Sequence, residues 1–402
     1  MRLAYLSASG GLGGAERCLV DLLAVVRQFE PSWRLHVIVP SEGPLAGAAR
    51  RRGVGVTVVP LPGPLARLGD ARATIGWPLA RRLMLSALTV PSYARSLTRC
   101  LADIRPDLVH SNSIKTHVLG VTAAPRGVPV LWHLHDFIGA RPVSSRLLRL
   151  LSRRCAAAVA NSSAVAADAE HVFGGGLAVH CVPNGIDLDE FAPAGASLDL
   201  DAVCGLPPTG PEVIRIGLIA TMAFWKGHDV FLRALRSLAR QATFRAYVIG
   251  GPVYHTAGSQ VSLDDVRRTV AELGLERQVG FTGFVDRPAA AMRTLDVVVH
   301  ASTRPEPFGL VIAEAMGCGR AVIASRRSGV AEFVRDGEDA ILCESNVEDL
   351  TRALRTVVGD RGLRARLGAH ARVTALKYFD RERMGSDAIS VYRRVARAQA
   401  ST

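Results

Sequence analysis

Residues 304–319 read Arg-Pro-Glu-Pro-Phe-Gly-Leu-Val-Ile-Ala-Glu-Ala-Met-Gly-Cys-Gly, directly after an apolar, β-branched run from Leu295 to His300. The run reads as a buried strand, and Pro305 and Pro307 lead out of it into a helical pattern that ends at Gly317. Pro307 suits a first helical turn, where a missing N–H costs nothing. The backbone N–H groups of Phe308, Gly309, Leu310 and Val311 would then lie at the positive end of the helix, with Gly309 allowing close approach. A phosphate belongs at such an end. Glu306 stands just before it, and Glu314 lies deeper in the helix, roughly 7 Å along the axis from Gly309. That is about the reach of a nucleoside diphosphate, so one carboxylate could accept from hydroxyls of a sugar on the outer phosphate and the other from the ribose. The spacing alone fits equally a solvated loop charge at Glu306 and a surface helix residue at Glu314.

The stretch closely resembles the Glu, seven residues, Glu motif of the retaining family-4 glycosyltransferases of the GT-B fold. Glu306 and Glu314 match the two acids, and Pro-Phe-Gly-Leu-Val-Ile-Ala between them matches the family's loop. The resemblance implies that Glu306 holds the donor sugar, the amides of Phe308 to Val311 the diphosphate, and Glu314 the ribose. It also implies an α/β architecture of two doubly wound, Rossmann-like domains facing each other across a cleft. The nucleotide diphosphate sugar would be a co-substrate, with no cofactor.

Composition is consistent with two domains, because 402 residues exceed one ordinary core. With 49% apolar and 21% charged residues the chain reads as a soluble globular protein. Seven cysteines are scattered without a Cys-x-x-Cys pair, which suggests a reducing compartment and neither a metal knuckle nor a disulfide framework. The first residues hold too short an apolar run for a signal peptide, and no stretch approaches ~18 consecutive apolar residues, so the expected location is the cytoplasm. The net charge of +13 is uneven: residues 1–183 carry 21 Lys and Arg against 10 Asp and Glu, and residues 184–402 carry 28 against 26. A basic first half suggests a nucleic acid, an anionic membrane surface or a phosphate-bearing substrate; solvated arginines are the plainer alternative.

From the N-terminus, a strand over Arg2–Ala8 leads through Ser9-Gly-Gly-Leu-Gly-Gly-Ala-Glu16 into a helix marked by Leu19, Leu22, Leu23 and Val26. The glycines allow amides to approach an anion or a sugar ring, or serve only a tight turn. The loop resembles the family's Gly-Gly-x-Glu, matched by Gly13, Gly14 and Glu16, which implies that these face the reaction. Strand-like runs recur at Leu35–Val39, Val54–Val59, Asp107–His110, Val130–His135, Ala156–Ala160 and Ala178–Val182, an alternation with helices that indicates a parallel sheet. Between Pro60 and Pro106, Arg67, Arg72, Arg81, Arg82, Arg95 and Arg99 mix with Trp77, several leucines and Tyr93. Arg146 to Arg154 interleaves Leu147, Leu148, Leu150 and Leu151. Both suggest amphipathic helices at a membrane surface, or ordinary surface helices. His133 and His135, near the exit of their strand and followed by Asp136, are open to metal binding, acid/base chemistry or a core role. The resemblance favours His135 as the group that contacts the donor sugar.

Pro183-Asn-Gly185 makes a turn, and residues 192–212 lack a clear period, so we expect a first domain over 1–190, a linker over 191–212 and a donor domain over 213–380. The last helix, from Arg381 towards the C-terminus, would pack back on the first domain. In the loop after Ile214–Ala220, Lys226 and Gly227 match the family's Lys-Gly, which implies that Lys226 neutralises the diphosphate leaving group. Where the family commonly has an arginine five residues earlier stands Thr221, so Lys226 acts alone or with another arginine such as Arg304. The loop after Val279–Phe284 brackets the base in the family, largely through backbone near Val285.

The resemblance implies transfer of a sugar to a hydroxyl acceptor with retention at the anomeric carbon. An envelope glycan, an exopolysaccharide, a glycolipid or a small natural product would be the acceptor. No metal is expected, since Asp199 and Asp201 have Asp-x-Asp spacing but lie in the expected linker. A nucleotide-sugar epimerase shares the fold, but the complete Glu306–Glu314 motif favours transfer. A dinucleotide oxidoreductase lacks its third glycine here, although Glu42 imitates its ribose acid. A nucleic-acid binder lacks a binding motif to accompany the charge, so no nucleic-acid partner is expected.

Overall fold

The computed structural model describes residues 1–66, 77–252 and 260–400, and divides the chain into two compact domains, Met1–Gly185 with Arg381–Thr402, and Ile186–Asp380. In the first, strands β1 (Arg2–Leu6), β2 (Arg34–Val39), β3 (Gly55–Val58), β4 (Leu108–Ser111), β5 (Val130–Leu134), β6 (Ala157–Ala160) and β7 (Val179–Cys181) form one sheet in the order β3-β2-β1-β4-β5-β6-β7. The second sheet, from β8 (Ile214–Ile219), β9 (Phe244–Ile249), β10 (Val279–Gly283), β11 (Val297–His300), β12 (Ala321–Ser325) and β13 (Ile341–Cys343), has the order β10-β9-β8-β11-β12-β13. All paired strands run parallel. Helices cover both faces, so most strands are continuous apolar runs, as in Val297, Val298 and Val299 of β11, which are fully buried. Both domains are thus doubly wound. Strand order reverses between β1 and β4 in one and between β8 and β11 in the other, and in open sheets of this kind the carboxyl ends of such strands are where ligands bind.

The expected linker over 191–212 is corrected. This segment is part of the second domain, where Phe191 and Leu200 join a core cluster with Met292 and Leu295. Asp201 accepts from the Tyr247 hydroxyl at 2.9 Å and the Thr209 hydroxyl at 2.8 Å, and lies 3.5 Å from Arg245. Arg293 donates to the carbonyls of Glu190, Ala192 and Ala196. Single anchors and side-chain-to-backbone bonds need no hydrophobic period, which is why composition suggested a tether.

The helix Arg381–Ala400 is part of the first domain, where Met384, Ala388, Ile389 and Tyr392 are buried with Leu19, Leu22 and Val26. Gly385 is required there, because a Cβ would come within 2.2 Å of Val25. Of the basic stretch between Pro60 and Pro106, Arg67 and Arg72 lie outside the described residues, as do the side chains of 77–88. Further along the same helix, Trp77–Ile104, Tyr93 and Leu97 are buried while Arg95 and Arg99 face solvent, an ordinary surface pattern. Among the described residues no helix is long and apolar enough to cross a membrane.

Candidate functional site

The loops leaving β8 and β11 flank the switch point of the second sheet. After β8 the chain buries Met222 and Ala223, makes one turn over Phe224–Lys226, and passes through Gly227 at φ 74° into the helix His228–Leu238. A Cβ at Gly227 would lie 1.9 Å from the Ala301 carbonyl oxygen, so a residue without one lets this loop rest on the loop from β11. The Thr303 N–H donates to the Trp225 carbonyl at 2.7 Å and fastens the two together.

The consequence is a close ion pair. Lys226 Nζ donates to Glu306 Oε1 at 2.9 Å and to Oε2 at 2.7 Å, and both side chains are only 17% exposed. Ser302 Oγ donates to Oε2 at 2.8 Å, and His300 Nε2 lies 3.6 Å from the same oxygen. Burial alone pushes the Glu306 carboxyl up, but the Lys226 ammonium and His300 outweigh it and hold the group well below the usual carboxylate range. Glu306 is therefore ionised and acceptor-only.

Pro307 does not begin the helix, which corrects the expectation. The Glu306 N–H donates to the Arg327 carbonyl and the Gly329 N–H to the Glu306 carbonyl, at 2.9 and 3.0 Å, so the loop is held against residues 327–329. The turn into the helix Leu310–Gly317 is made instead at Gly309, φ 102°. Leu310 and Val311 thus occupy the first turn, whose amides have no partner within the helix. Phe308 is a core anchor, 2% exposed, with its ring 5.8 Å from that of Phe379 and its carbonyl accepting from Val330. Glu314 is not a surface residue: it is 8% exposed in a helix whose Ile312, Ala313, Ala315 and Met316 are fully buried. Val285 is partly buried against the same core cluster, beside the exposed Phe284. The Arg304 guanidinium lies 4.6 Å over the Phe224 ring, two residues before Lys226, while Thr221 has a buried hydroxyl with no hydrogen-bond partner among the described residues.

In the first domain the glycine loop follows β1 into the helix Gly14–Phe29. Glu16 turns back on it, with Oε2 accepting the Gly13 N–H at 3.1 Å and Oε1 lying 3.5 Å from Ser7 Oγ, and burial raises its carboxyl. Glu16 thus serves as a cap of its own helix, three residues after Gly13. His135, just past β5, lies 2.8 Å through Nε2 from Asn112 Oδ1, and Asn112 Nδ2 donates to the Ala15 carbonyl at 3.0 Å. A carbonyl only accepts, so the Asn112 oxygen faces His135 and Nε2 carries the proton. Burial lowers His135 to about 4, leaving the neutral ring a lone pair at Nδ1. The His133 ring is 4.0 Å from that of His135 and 5.2 Å from that of His110, and Asp136 pairs with Arg141 at 3.1 Å. Among the described residues no three His, Cys, Asp or Glu side chains are grouped to hold a metal.

Asn112, His300 and Ser302 were missed from the sequence. Their signal was available: each is a polar residue at or just past the end of a strand that flanks a switch point.

Two parallel doubly wound domains, with an ionised acid, a lysine and a helix start gathered where one of them reverses strand order, define the GT-B glycosyltransferase class. Residues 12–190 match the family model Glycosyltransferase Family 4, and residues 209–374 match Glycosyl transferases group 1. The D-inositol 3-phosphate glycosyltransferase of Jonesia denitrificans is 31% identical over 314 residues, covering 72% of each chain. The lipopolysaccharide core biosynthesis mannosyltransferase LpcC of Rhizobium leguminosarum bv. viciae is 33% identical over 212 residues, 52% of this chain and 58% of that one. In fold the chain is similar to Anabaena Alr3699/HepE, solved in complex with UDP and glucose, at TM-score 0.76 and 24% identity over 98% and 99% of the two chains. The chain belongs to the family-4 glycosyltransferases.

Proposed function

We propose that the protein transfers a sugar from a nucleoside diphosphate sugar to a hydroxyl of a glycan, glycolipid or small-molecule acceptor, with retention and without a metal. The observation that carries this is the pairing of Lys226 with an ionised Glu306 directly before the helix start at Leu310. The helix amides and Lys226 would receive the diphosphate, with Arg304 adding charge from its place over Phe224. Glu306 would accept from the sugar hydroxyls and Glu314 from the ribose, while Val285 would border the base. In the first domain, His135 would accept from the sugar through Nδ1, and Gly13 and Gly14 would offer backbone on the loop that Glu16 caps. In the same-face mechanism we favour, the bond from anomeric carbon to phosphate oxygen breaks, the acceptor oxygen bonds to that carbon, and the leaving phosphate takes the acceptor proton.

An envelope glycan or glycolipid acceptor is supported by the similarity to a lipopolysaccharide core mannosyltransferase and by the helix Pro142–Leu151, where exposed Arg146 and Arg149 alternate with exposed Leu147 and Leu150. Exposed Arg153 and Arg154 follow, so this face suits an anionic membrane surface on the cytoplasmic side. Co-sedimentation with anionic vesicles that Leu150→Asp abolishes is the expected result there.

The decisive test of the donor site is thermal stabilisation by a panel of nucleoside diphosphates and nucleotide sugars, with Glu314→Ala alongside. One base series should raise the melting temperature of the parent and not of the variant. No shift in either protein refutes the reading. An inverted product would refute retention alone, and release of nucleoside diphosphate from the sugar donor without an acceptor would favour an epimerase.

A further inference from the structure

Lys226 donates to both oxygens of Glu306, and the donor-site reading asks it to satisfy a diphosphate instead. When Lys226 turns away, a carboxylate only 17% exposed loses its cation. A buried carboxylate in that position takes up a proton unless other donors replace the lost partner. A protonated Glu306 has given up half of what it offers a sugar, because one of its oxygens then donates.

Two groups on the exit of β11 remain. Ser302, 1% exposed, already donates to Oε2 at 2.8 Å. His300, 5% exposed, has Nε2 at 3.6 Å from that oxygen, and neither of its ring nitrogens has a hydrogen-bond partner among the described residues. A buried imidazole without partners is unusual and calls for an explanation. Closing the gap needs a movement of about half an ångström to reach ordinary hydrogen-bond length. His300 is the last residue of β11, in register with Ala324 of β12, so its backbone is fixed by the sheet and its ring is presented from a rigid element.

We propose that His300 and Ser302 form a brace that takes over Glu306 when Lys226 engages the donor's diphosphate. His300 is then a positioning residue, acting through Glu306 and touching no substrate. The brace rests on the donor-site reading above and adds to it a reason why Lys226 is able to leave its partner.

The test is the affinity for whichever of ADP, GDP, UDP, CDP or TDP stabilises the parent most, measured by calorimetry on the full chain. His300→Phe, which fills the space without a donor, should weaken binding about tenfold while the unliganded protein melts near the parent. His300→Gln, which keeps an N–H, should bind within about threefold of the parent. Ser302→Ala provides a second, smaller variant with a loss of the same sign. In a Glu306→Gln background, His300→Phe should change affinity less than about twofold, since a neutral amide has no charge to lose. An unchanged affinity in His300→Phe, or an equal loss with and without Glu306, overturns the brace. If no nucleoside diphosphate stabilises the parent, the donor-site reading falls, and the brace with it.

Discussion

Replacing Lys226 with Met isolates the ion pair at the centre of the site. The methionine keeps most of the stem's volume and removes the charge, so Glu306 stays behind without its cation. Breaking a fully buried pair in this way costs about 3–5 kcal/mol. Here both side chains are 17% exposed and the Ser302 hydroxyl remains on Oε2, so we take a lower figure of about 2–3 kcal/mol. For a domain of this size that lowers the melting temperature by roughly 5–10 °C. Glu306→Gln should cost less, because a flexible ammonium finds water more easily than a fixed carboxylate. The double variant Lys226→Met with Glu306→Gln should return to within about 1 kcal/mol of the parent, giving a coupling near 2 kcal/mol in a double-mutant cycle. The sign of the pH dependence follows from the depressed Glu306 carboxyl. Its ionisation contributes stability that is complete above the ordinary carboxylate range and is lost as pH falls towards its folded value. Without Lys226 the Glu306 carboxyl rises towards or above its unfolded value, so this acid-side loss should shrink, and urea titrations at several acidic pH values would display it. A Lys226→Met protein as stable as the parent, or additive single variants, would refute the reasoning.

Gly227→Ala should be among the most damaging small changes, since it combines φ 74° with a Cβ 1.9 Å from a backbone oxygen. The expected loss is about 3 kcal/mol, read from the urea midpoint, and an unchanged midpoint would contradict it. Asn112→Leu removes the acceptor that fixes the His135 tautomer and the donor to the Ala15 carbonyl. Stability should fall by about 2 kcal/mol, and the nitrogen-15 shifts of His135 should lose the single-tautomer pattern. His110 and His135 are lowered, chiefly by burial, to about 3 and about 4, so the unfolded chain binds protons that the fold does not. Stability should therefore drop as pH falls from the ordinary histidine value towards those lowered values, by about 2 kcal/mol at pH 5 for His110 alone, and a flat urea midpoint from pH 7 to pH 5 would oppose this.

The strands were legible because parallel sheets bury both faces, so β11 and its neighbours appear as uninterrupted β-branched runs that end at glycines or polar residues. Lys226 and Glu306 stand in loops where a strand stops and a helix begins, but their assignment and that of Glu314, inside the helix Leu310–Gly317, came from the resemblance to the family motif, since spacing alone also fitted solvated charges. What the sequence could not convey is tertiary. Pro307 looked like a helix start because nothing local reveals that residues 327–329 hold the Glu306 backbone in a loop. Residues 191–212 looked like a tether because their anchors lie far along the chain, on Arg245, Tyr247 and Arg293.

Glu16 is the instructive intermediate case. Its match to a Gly-Gly-x-Glu loop pointed to a ligand, yet the three-residue spacing from Gly13 is also that of a helix cap, and the carboxylate is in fact occupied with the Gly13 amide. His300 is the reverse. As the last residue of a buried strand it read only as the place where the apolar run stops, and its interest lies in what a sequence never records: two ring nitrogens without partners among the described residues, 3.6 Å from a carboxylate paired with Lys226. The charged pair of Lys226 and Glu306 has the His300 ring 3.6 Å behind it, and the proposed brace would use that ring if Lys226 turns to a diphosphate. On that proposal the energetic demand of binding would fall on the exchange of Lys226 between two anions, and His300→Phe and Lys226→Met should disturb it more than changes at the sugar contacts.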